Sequence, residues 1–357
     1  MFMKTKWASL VLPWMLVSAA LVSCGRPSAD PTVIRMAELK EAPMPQAGLP
    51  CFSSVEQFLL DREPNDASVA VPEKVVVAGE RIYILGYSGD MRLAYVSEYD
   101  HEGRAVRMMG RRGRGPGEYA RAQDFVVGPE GDCRILLLDR GEVMLYHYGP
   151  DGTFLGKASP AGPDPVSPYY LAALPSGELL VGTARWDESA WKDYRVVVCD
   201  TLLQARRGMI PDPHNLDPNF GFSNVGICDT GEGFQYIVPM EDCVHRFDRD
   251  GNDIGSVRID FGPAALTDDI RIDVEPHLDE LKEKSFLFNA AYVDDAWLFG
   301  SLQEKGKHRS FAVDRAAGVR YATDDLYGWF QGVWDGRAVW LKDTEDGWQL
   351  TLCTLRR

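Results

Sequence analysis

The residues best suited to bind a charged ligand lie together in the segment 111–119, whose sequence is RRGRGPGEY. Glycine opens backbone conformations closed to other residues, so several N–H groups and guanidinium forks could surround one anion. The same glycines and proline also suit a rigid corner between two structural units, with Glu118 accepting from loop N–H groups or pairing with a loop arginine. We favour this structural interpretation and keep the ligand site as the alternative. Its candidate ligand-binding residues are Arg111, Arg112, Arg114, Glu118 and Tyr119.

A second group of candidates is aromatic. Trp186 and Trp191 lie among acidic residues and are predicted to be exposed, where their rings could stack on a sugar or a peptide side chain. Further aromatic residues crowd the segment 327–334. Aromatic residues of a large β-protein mostly pack against one another, so we single out Trp186 and Trp191 alone.

The first 23 residues are predicted to be an export signal. Lys4 and Lys6 precede an apolar run over 8–22 that is too short to span a bilayer as a stable helix. The sequence Leu-Val-Ser-Cys at 21–24 resembles the lipobox of bacterial lipoproteins, which implies that Cys24 carries lipid. Each buried CH₂ of the acyl chains would contribute about 0.8 kcal/mol to anchoring. An ordinary secretory signal with an incidental cysteine is the alternative.

Residues 24–50 are predicted to be a flexible tether, and 51–357 the folded domain. Prolines are scattered through the tether, and its composition suits an extended spacer. Only the short run 32–36 has the character of a strand. The expected location is the outer membrane or the periplasm-facing side of the cell envelope, with membrane contact through the lipid.

Charge and cysteine content narrow the classes of partner. The formal net charge is −15, and loss of Lys4 and Lys6 with the signal would leave 36 basic against 53 acidic residues, or −17. Such a protein has no general attraction to nucleic acid or to anionic lipid, so neither is expected as a partner. The six cysteines after Cys24 are widely spaced and are predicted to be mostly free thiols, with Cys228 and Cys243 the pair most worth testing.

The rest of the chain repeats one pattern, and this pattern sets the expected fold. A strand, a tight turn and a second strand are followed by a third strand, an Asp/Gly turn and a fourth strand, at a period of roughly 45–60 residues. Six such units predict an all-β, six-bladed β-propeller with four-stranded antiparallel blades. A β-sandwich pair or a β-helix is the alternative, although a sandwich gives no reason for six copies. The first hairpin of each unit falls at 75–85, 125–139, 171–181, 225–238, 289–299 and 332–341.

Two features complete the expected ring. The sixth unit has three strands, so an earlier strand must supply the fourth; we favour 55–60 over 33–34, and this pairing removes an exposed edge. An insertion at 267–284 is predicted to contain a short helix, regular mainly over 276–284 because of Pro276. It is expected to cover the edge of a blade, with a lid over the central funnel as the alternative.

The segment 113–119 closely resembles the G-x-G-P-G-E-[YF] motif of the six-bladed β-propeller lipoproteins of Bacteroidetes, which are related to NHL-type propellers. The sequences at 99–103, 123–125 and 134–139 fit the same family, and the likeness extends from about residue 52 to the end. It implies a six-bladed ring and export as a lipoprotein. It implies no defined reaction.

Related six-bladed propellers such as lactonases bind Ca²⁺ in the central channel through Asn, Asp and Glu at the starts of their innermost strands. By this analogy Asp124, Asn224 and Asn289 are weak candidates for calcium ligands. The sequence itself contains neither a Gly-x-Ser-x-Gly motif nor histidines at HxxxH spacing. We expect no cofactor, with Ca²⁺ as the alternative.

Together these features favour a monomeric, lipid-anchored and non-catalytic module of the cell envelope that binds a glycan, a peptide or a protein. A hydrolase or lyase working in the central funnel, with or without Ca²⁺, is the alternative. A purely structural role in an envelope complex is a third hypothesis.

Overall fold

The structure is a computed structural model that describes residues 32–61, 68–128, 130–139, 142–160, 166, 168–174, 176–183, 190–211, 227–237, 241–324, 326–334 and 336–356. These residues form a ring of six antiparallel blades, each with four strands of its own. The predicted all-β, six-bladed β-propeller is confirmed. First strands of neighbouring blades contact one another, so the first strands surround the ring axis and the fourth strands form the rim.

Three strands precede the first complete blade. They are β1 (Thr32–Arg35), β2 (Lys40–Ala42) and β3 (Phe52–Leu59), with a 3-10 turn at Met36–Glu38 between the first two.

Blades 1 to 3 follow in chain order, with a short parallel pair of strands between blades 1 and 2. Blade 1 contains β4 (Val71–Ala78), β5 (Arg81–Tyr87), β6 (Ala94–Tyr99) and β7 (Ala105–Met108). The short pair is β8 (Arg111–Arg112) and β9 (Glu118–Tyr119). Blade 2 contains β10 (Ala122–Val127), β11 (Cys133–Asp139), β12 (Glu142–Tyr148) and β13 (Phe154–Ala158). Blade 3 contains β14 (Pro168–Ala173), β15 (Leu179–Thr183), β16 (Tyr194–Cys199) and β17 (Ala205–Pro211).

Blades 4 to 6 complete the chain, with the helical insertion between blades 4 and 5. Blade 4 contains β18 (Ile227–Asp229), β19 (Phe234–Ile237), β20 (Cys243–Phe247) and β21 (Asp253–Asp260). The insertion contains α1 (Asp268–Ile272), α2 (Leu278–Leu281) and 3-10 turns at Gly262–Ala264 and Glu275–His277. Blade 5 contains β22 (Ser285–Val293), β23 (Trp297–Glu304), β24 (Lys307–Asp314) and β25 (Val319–Asp324). Blade 6 contains β26 (Trp329–Trp334), β27 (Arg337–Thr344) and β28 (Gly347–Leu355).

Strand β3 closes the ring as the fourth strand of blade 6. It pairs antiparallel with β28, in a register that places Leu59 opposite Gln349 and Val55 opposite Cys353. The predicted choice of 55–60 as the closing strand is therefore confirmed. Because the first and last parts of the chain share one sheet, the blade that ends the chain has no unpaired third strand.

Residues 32–42 are part of the propeller, contrary to the prediction of a flexible tether over 24–50. Strand β1 pairs in parallel with β21 and β2 pairs in parallel with β25, so each adds a fifth strand to the rim of blade 4 or blade 5. Ile34 and Met36 are buried in the core between these two blades. The free energy gained by burying these apolar side chains offsets the conformational entropy that the segment loses when it becomes ordered.

The helical insertion packs on blade 5 as a small cluster of its own. Ile270 and Val274 are buried against Phe286 of β22, and Leu281 of α2 packs on the same group. The predicted insertion is confirmed, but α1 forms before Pro276, where little regular helix was expected from the sequence. No helix among the residues that the structure describes is long and apolar enough to cross a bilayer.

All six cysteines after Cys24 are buried free thiols, so the thiols of Cys228 and Cys243 are not joined. This agrees with the prediction that these residues act mainly as small apolar side chains.

Replacement of Ile34 tests whether the N-terminal segment is packed. We expect Ile34→Ala to lower the free energy of unfolding by about 2 kcal/mol, because it leaves a cavity at the junction of blades 4 and 5. Val33→Ala is the matched control, since Val33 is exposed on the same strand and its loss costs little. Urea unfolding measures both values. Equal stability of the two variants would mean that the segment is a tether after all.

Candidate functional site

A buried ion pair lies at the ring axis and joins three blades. Lys74 of β4 and Asp124 of β10 are 1% and 0% exposed, and Lys74 Nζ lies 2.6 Å from Asp124 Oδ1. Lys74 Nζ also donates to the carbonyl of Phe125 at 3.0 Å, and Asp124 Oδ2 accepts the N–H of Leu171 in β14 at 2.6 Å. Burial raises the pKa of the Asp124 carboxyl, while Lys74 and the Leu171 N–H act against that rise.

This geometry bears on Asp124 as a candidate calcium ligand, which stays a prediction. Both carboxylate oxygens accept hydrogen bonds from protein groups, and the positive charge of the Lys74 ammonium disfavours a cation beside it. Asn224 lies outside the described residues, and Asn289 is described only through the backbone of β22. Among the side chains that the structure describes, no cluster of three or more His, Cys, Asp or Glu residues could hold a metal ion.

Blades that are not neighbours also contact one another near the axis. Lys74 Nζ of blade 1 lies 3.5 Å from the carbonyl of Leu171 in blade 3. Cys228 of blade 4 meets blade 6, because it accepts the N–H of Val333 and lies so close to Gly332 that a Cβ there would be 2.7 Å from the sulfur. At these residues the first strands of blades 1 and 3, and of blades 4 and 6, therefore contact each other.

Polar side chains also link neighbouring blades around the ring. In each case a buried side chain of one blade bonds to a backbone group of the next, which satisfies both partners without water. These bonds join Lys74 to Phe125, Asp124 to Leu171, Gln235 to Val293, Ser301 to Phe330 and Gln331 to Val75.

The arginine-rich loop is a rigid corner between blades 1 and 2. Glu118 Oε2 accepts the N–H groups of Arg114 and Gly115 at 3.1 and 2.9 Å. Gly113, with φ of 154°, leaves room for this carboxylate, which a side chain there would overlap. Tyr119 is buried, donates from its hydroxyl to the carbonyl of Met109 at 2.7 Å, and has its pKa raised well above the ordinary value by burial. The predicted capping of N–H groups by Glu118 is confirmed.

The loop lies near the rim and not at the axis. Gly117 packs against Phe154 in the fourth strand of blade 2, and the guanidinium of Arg112 stacks 4.4 Å from the ring of Tyr95 in the third strand of blade 1. Arg111 and Arg114 are exposed. Arg112 therefore packs on an aromatic ring, whereas Arg111 and Arg114 extend into solvent.

The structure describes only one of the two tryptophans that the sequence singles out as an exposed pair. Trp186 lies outside the described residues. Trp191 is half-buried, packs against the core of blades 2 and 3, and its ring centroid lies 6.3 Å from that of Tyr194. Packing therefore accounts for Trp191 better than ligand binding does.

An aromatic surface that was not predicted from the sequence lies at the seam where the ring closes. Trp329, at the start of β26, is 40% exposed, whereas Tyr327, Phe330 and Trp334 beside it are buried. The centroid of its ring lies 6.1 Å from that of Trp348, at an angle of 49°. The crowding of aromatic residues at 327–334 was the available signal, but the sequence does not show which ring faces water.

The partner ring is held in place by blade 1. Trp348 Nε1 donates to the carbonyl of Ala70 at 2.9 Å, and the N–H of Ala70 donates to the carbonyl of Tyr87. The guanidinium of Arg121 lies 5.9 Å from the Tyr87 ring. We call Trp329, Trp348, Tyr87 and Arg121 the seam surface. It combines ordered aromatic rings with a cation, an arrangement that suits stacking and hydrogen bonding to a ligand.

A charged corner lies between β19 and β20 of blade 4. Asp242 has a positive φ of 55°, accepts the N–H of Leu287 at 2.9 Å, and lies 3.3 Å from the guanidinium of Arg271 in α1. Burial raises the pKa of its carboxyl to about 7, although Arg271 and the Leu287 N–H oppose this. Asp242 thereby joins blade 4 to the helical insertion and to the first strand of blade 5.

The neighbouring pair Glu241 and His245 is also committed to the fold. Their side chains lie 3.0 Å apart. Burial acts to lower the pKa of His245, but its bonds to Cys243 and Glu241 outweigh burial and raise that pKa to about 10. Both groups are therefore charged near neutral pH and neutralise each other.

The role of Glu118 can be tested by truncation. We expect Glu118→Ala to lower the free energy of unfolding by about 2 kcal/mol, because two N–H groups of the loop lose their acceptor. Arg114→Ala is the control and should change stability by less than about 0.5 kcal/mol, since its side chain is exposed. Thermal and urea unfolding give both numbers. A larger loss for Arg114→Ala than for Glu118→Ala would contradict the structural role.

Comparison with known proteins agrees with this geometry. The family model described as 6-bladed beta-propeller matches residues 52–293, which is more than half of the chain. The chain is also similar to a protein from Bacteroides fragilis named as exported, with 15% identity, 91% of this chain and 100% of that chain covered, and a TM-score of 0.68. A member of the duf4221 family from Bacteroides vulgatus has 9% identity, 85% and 97% coverage, and a TM-score of 0.54.

At these identities the similarity to solved structures shows the shared fold and transfers no site. No curated protein matches this sequence. The matched residues run from the start of β3 to the end of β22 and include the corner between blades 1 and 2. The chain belongs to the 6-bladed beta-propeller family.

Proposed function

We propose that the protein is an exported lipoprotein, anchored through Cys24, that acts as a non-catalytic binding module of the cell envelope. Its ligand, a glycan or a peptide, contacts the seam surface of blades 6 and 1. The observation that carries this proposal is the exposed ring of Trp329 beside the fixed ring of Trp348. An exposed indole costs little conformational entropy to order on binding and offers a flat apolar face.

Export is supported by the leader and lipobox at the start of the sequence. It is also supported by the name of the Bacteroides fragilis relative, which describes that protein as exported. The lipid and the outer-membrane location follow from the lipobox resemblance alone.

The funnel-site hydrolase or lyase is less well supported. Its proposed ligand Asp124 is bonded to Lys74 and to the N–H of Leu171, and its first-strand neighbours meet across the axis. Each oxygen of this carboxylate already accepts a hydrogen bond, and the Lys74 ammonium neutralises the charge that would attract a cation. The seam surface, by contrast, is open to solvent.

Binding arrays of glycans and of peptides test the proposal. We expect at least one saturable ligand, and we expect Trp329→Ala to weaken its binding about tenfold or more, because a stacking face is lost. Titration calorimetry on the strongest array ligand measures the change.

Arg114→Ala is the matched control for the array ligand, since it removes an exposed side chain from the loop between blades 1 and 2. It should bind like the wild type. Unchanged binding by Trp329→Ala together with loss of binding by Arg114→Ala would return the ligand site to the loop. Chemical conversion of the bound ligand would overturn the non-catalytic role.

A further inference from the structure

A cavity of about 630 Å³ lies at the rim of blade 4, away from the seam surface. Its walls come from four parts of the chain: β1, the corner between β19 and β20, β21, and the helical insertion. The lining residues are Val33, Arg35, Glu241, Asp242, Arg258, Ile259, Asp260, Ala265, Leu266, Asp268, Arg271 and Ile272.

The cavity exists because two additions extend a standard blade. Strand β1 lies in parallel register beside β21, which places Val33 opposite Arg258 and Arg35 opposite Asp260. The insertion then returns over the same edge, where Arg271 of α1 reaches Asp242. A four-stranded blade without these additions would have neither wall.

Some of the lining charges already serve the fold. Asp242 bonds to Leu287 and Arg271, and Glu241 bonds to His245. Because each of these charged groups is already paired, they are poor candidates for ligand contacts. Their bonds hold the helical insertion and the corner between β19 and β20 in place.

Two opposite charges of the lining are less engaged in the fold. Arg258 and Asp268 are exposed, and within the described residues neither side chain makes a hydrogen bond or a close ion pair, although the charge of Arg258 helps to lower the pKa of Glu241. Arg35 adds a second guanidinium, which is 55% exposed and lies 3.9 Å from Glu38 and 4.0 Å from Asp260. The mouth therefore offers cationic groups on the strands and an anionic group on the helix.

Exposed apolar side chains also line the cavity. Val33 of β1 is 39% exposed and Ile272 of α1 is 43% exposed, and both line the cavity. A simple anion would meet the carboxylates of the lining, and a simple cation would meet its guanidinium groups, each at an electrostatic cost. A ligand with both charges and an apolar part between them avoids that cost.

We propose that this cavity binds a short peptide with free termini and an apolar side chain. The carboxylate of the peptide bonds to Arg258, its ammonium group bonds to Asp268, and the apolar side chain lies between Val33 and Ile272. The bidentate geometry of a guanidinium suits the carboxylate. The volume lies within the range of small-ligand pockets and accommodates a peptide of two or three residues.

Titration calorimetry with the tripeptide Leu-Ala-Leu tests the proposal on the whole protein. We expect saturable binding by the wild type and at least a tenfold loss with Arg258→Met. Asp268→Asn should weaken binding of the free tripeptide, and it should have no further effect on the N-acetylated form. Amidation of the C-terminus should likewise remove the effect of Arg258→Met.

Matched controls establish whether the tripeptide binds in this cavity. Asp269→Asn removes a neighbouring charge of α1 that does not line the cavity, and Arg114→Met removes an exposed arginine elsewhere; both should bind like the wild type. Trp329→Ala should also bind normally, so failure of the seam surface leaves this test unaffected. Absence of saturable binding to Leu-Ala-Leu, or equal binding by Arg258→Met and wild type, would overturn the proposal.

Discussion

The ring depends on one buried pair of opposite charges at its axis. Lys74 and Asp124 lose their water entirely, and the free energy of that loss is offset only while each remains bonded to the other. Their additional bonds to Phe125 and Leu171 extend the pair over the first strands of blades 1, 2 and 3. A blade that shifted would leave a charge unpaired in a medium of low dielectric constant, so the pair fixes how these three blades sit together.

This constraint has a consequence for function. At the level of Lys74 and Cys228, strands of blades that are not neighbours contact one another near the axis. Two surfaces away from these contacts carry the binding proposals. One is the seam where β3 closes blade 6, with Trp329 exposed beside Trp348. The other is the rim of blade 4, where β1 and α1 build walls that the repeat itself lacks.

The repeat predicted most of the architecture because strands and turns are specified by residues that are close together in the sequence. Alternating strands and Asp/Gly turns recur at a constant period, and the missing fourth strand of the last unit pointed to 55–60. The corner at Glu118 was also predictable, since a glycine-rich loop with one carboxylate has few ways to satisfy its N–H groups. Each of these inferences needs only residues that are close in sequence.

The features that the sequence did not show depend on residues that are far apart in the chain. Nothing in the sequence around Asp124 indicates that Lys74, fifty residues earlier, lies 2.6 Å from its carboxylate. The run 32–42 looks like a tether because its partners β21 and β25 lie more than two hundred residues downstream. The ring beside Trp329, that of Trp348, is held by a hydrogen bond to Ala70, which is distant in the chain. Long-range pairing, not local propensity, decides these sites.

A double-mutant cycle on Lys74 and Asp124 tests the central claim most directly. Lys74→Met alone should lower the free energy of unfolding by about 3–5 kcal/mol, because it leaves the buried carboxylate of Asp124 without its charged partner. Asp124→Asn alone should cost a similar amount, and the double variant should cost clearly less than the sum, with a coupling energy above about 2 kcal/mol. Urea unfolding of the four proteins supplies the values. Small, additive losses would contradict the claim that this pair holds the first three blades together.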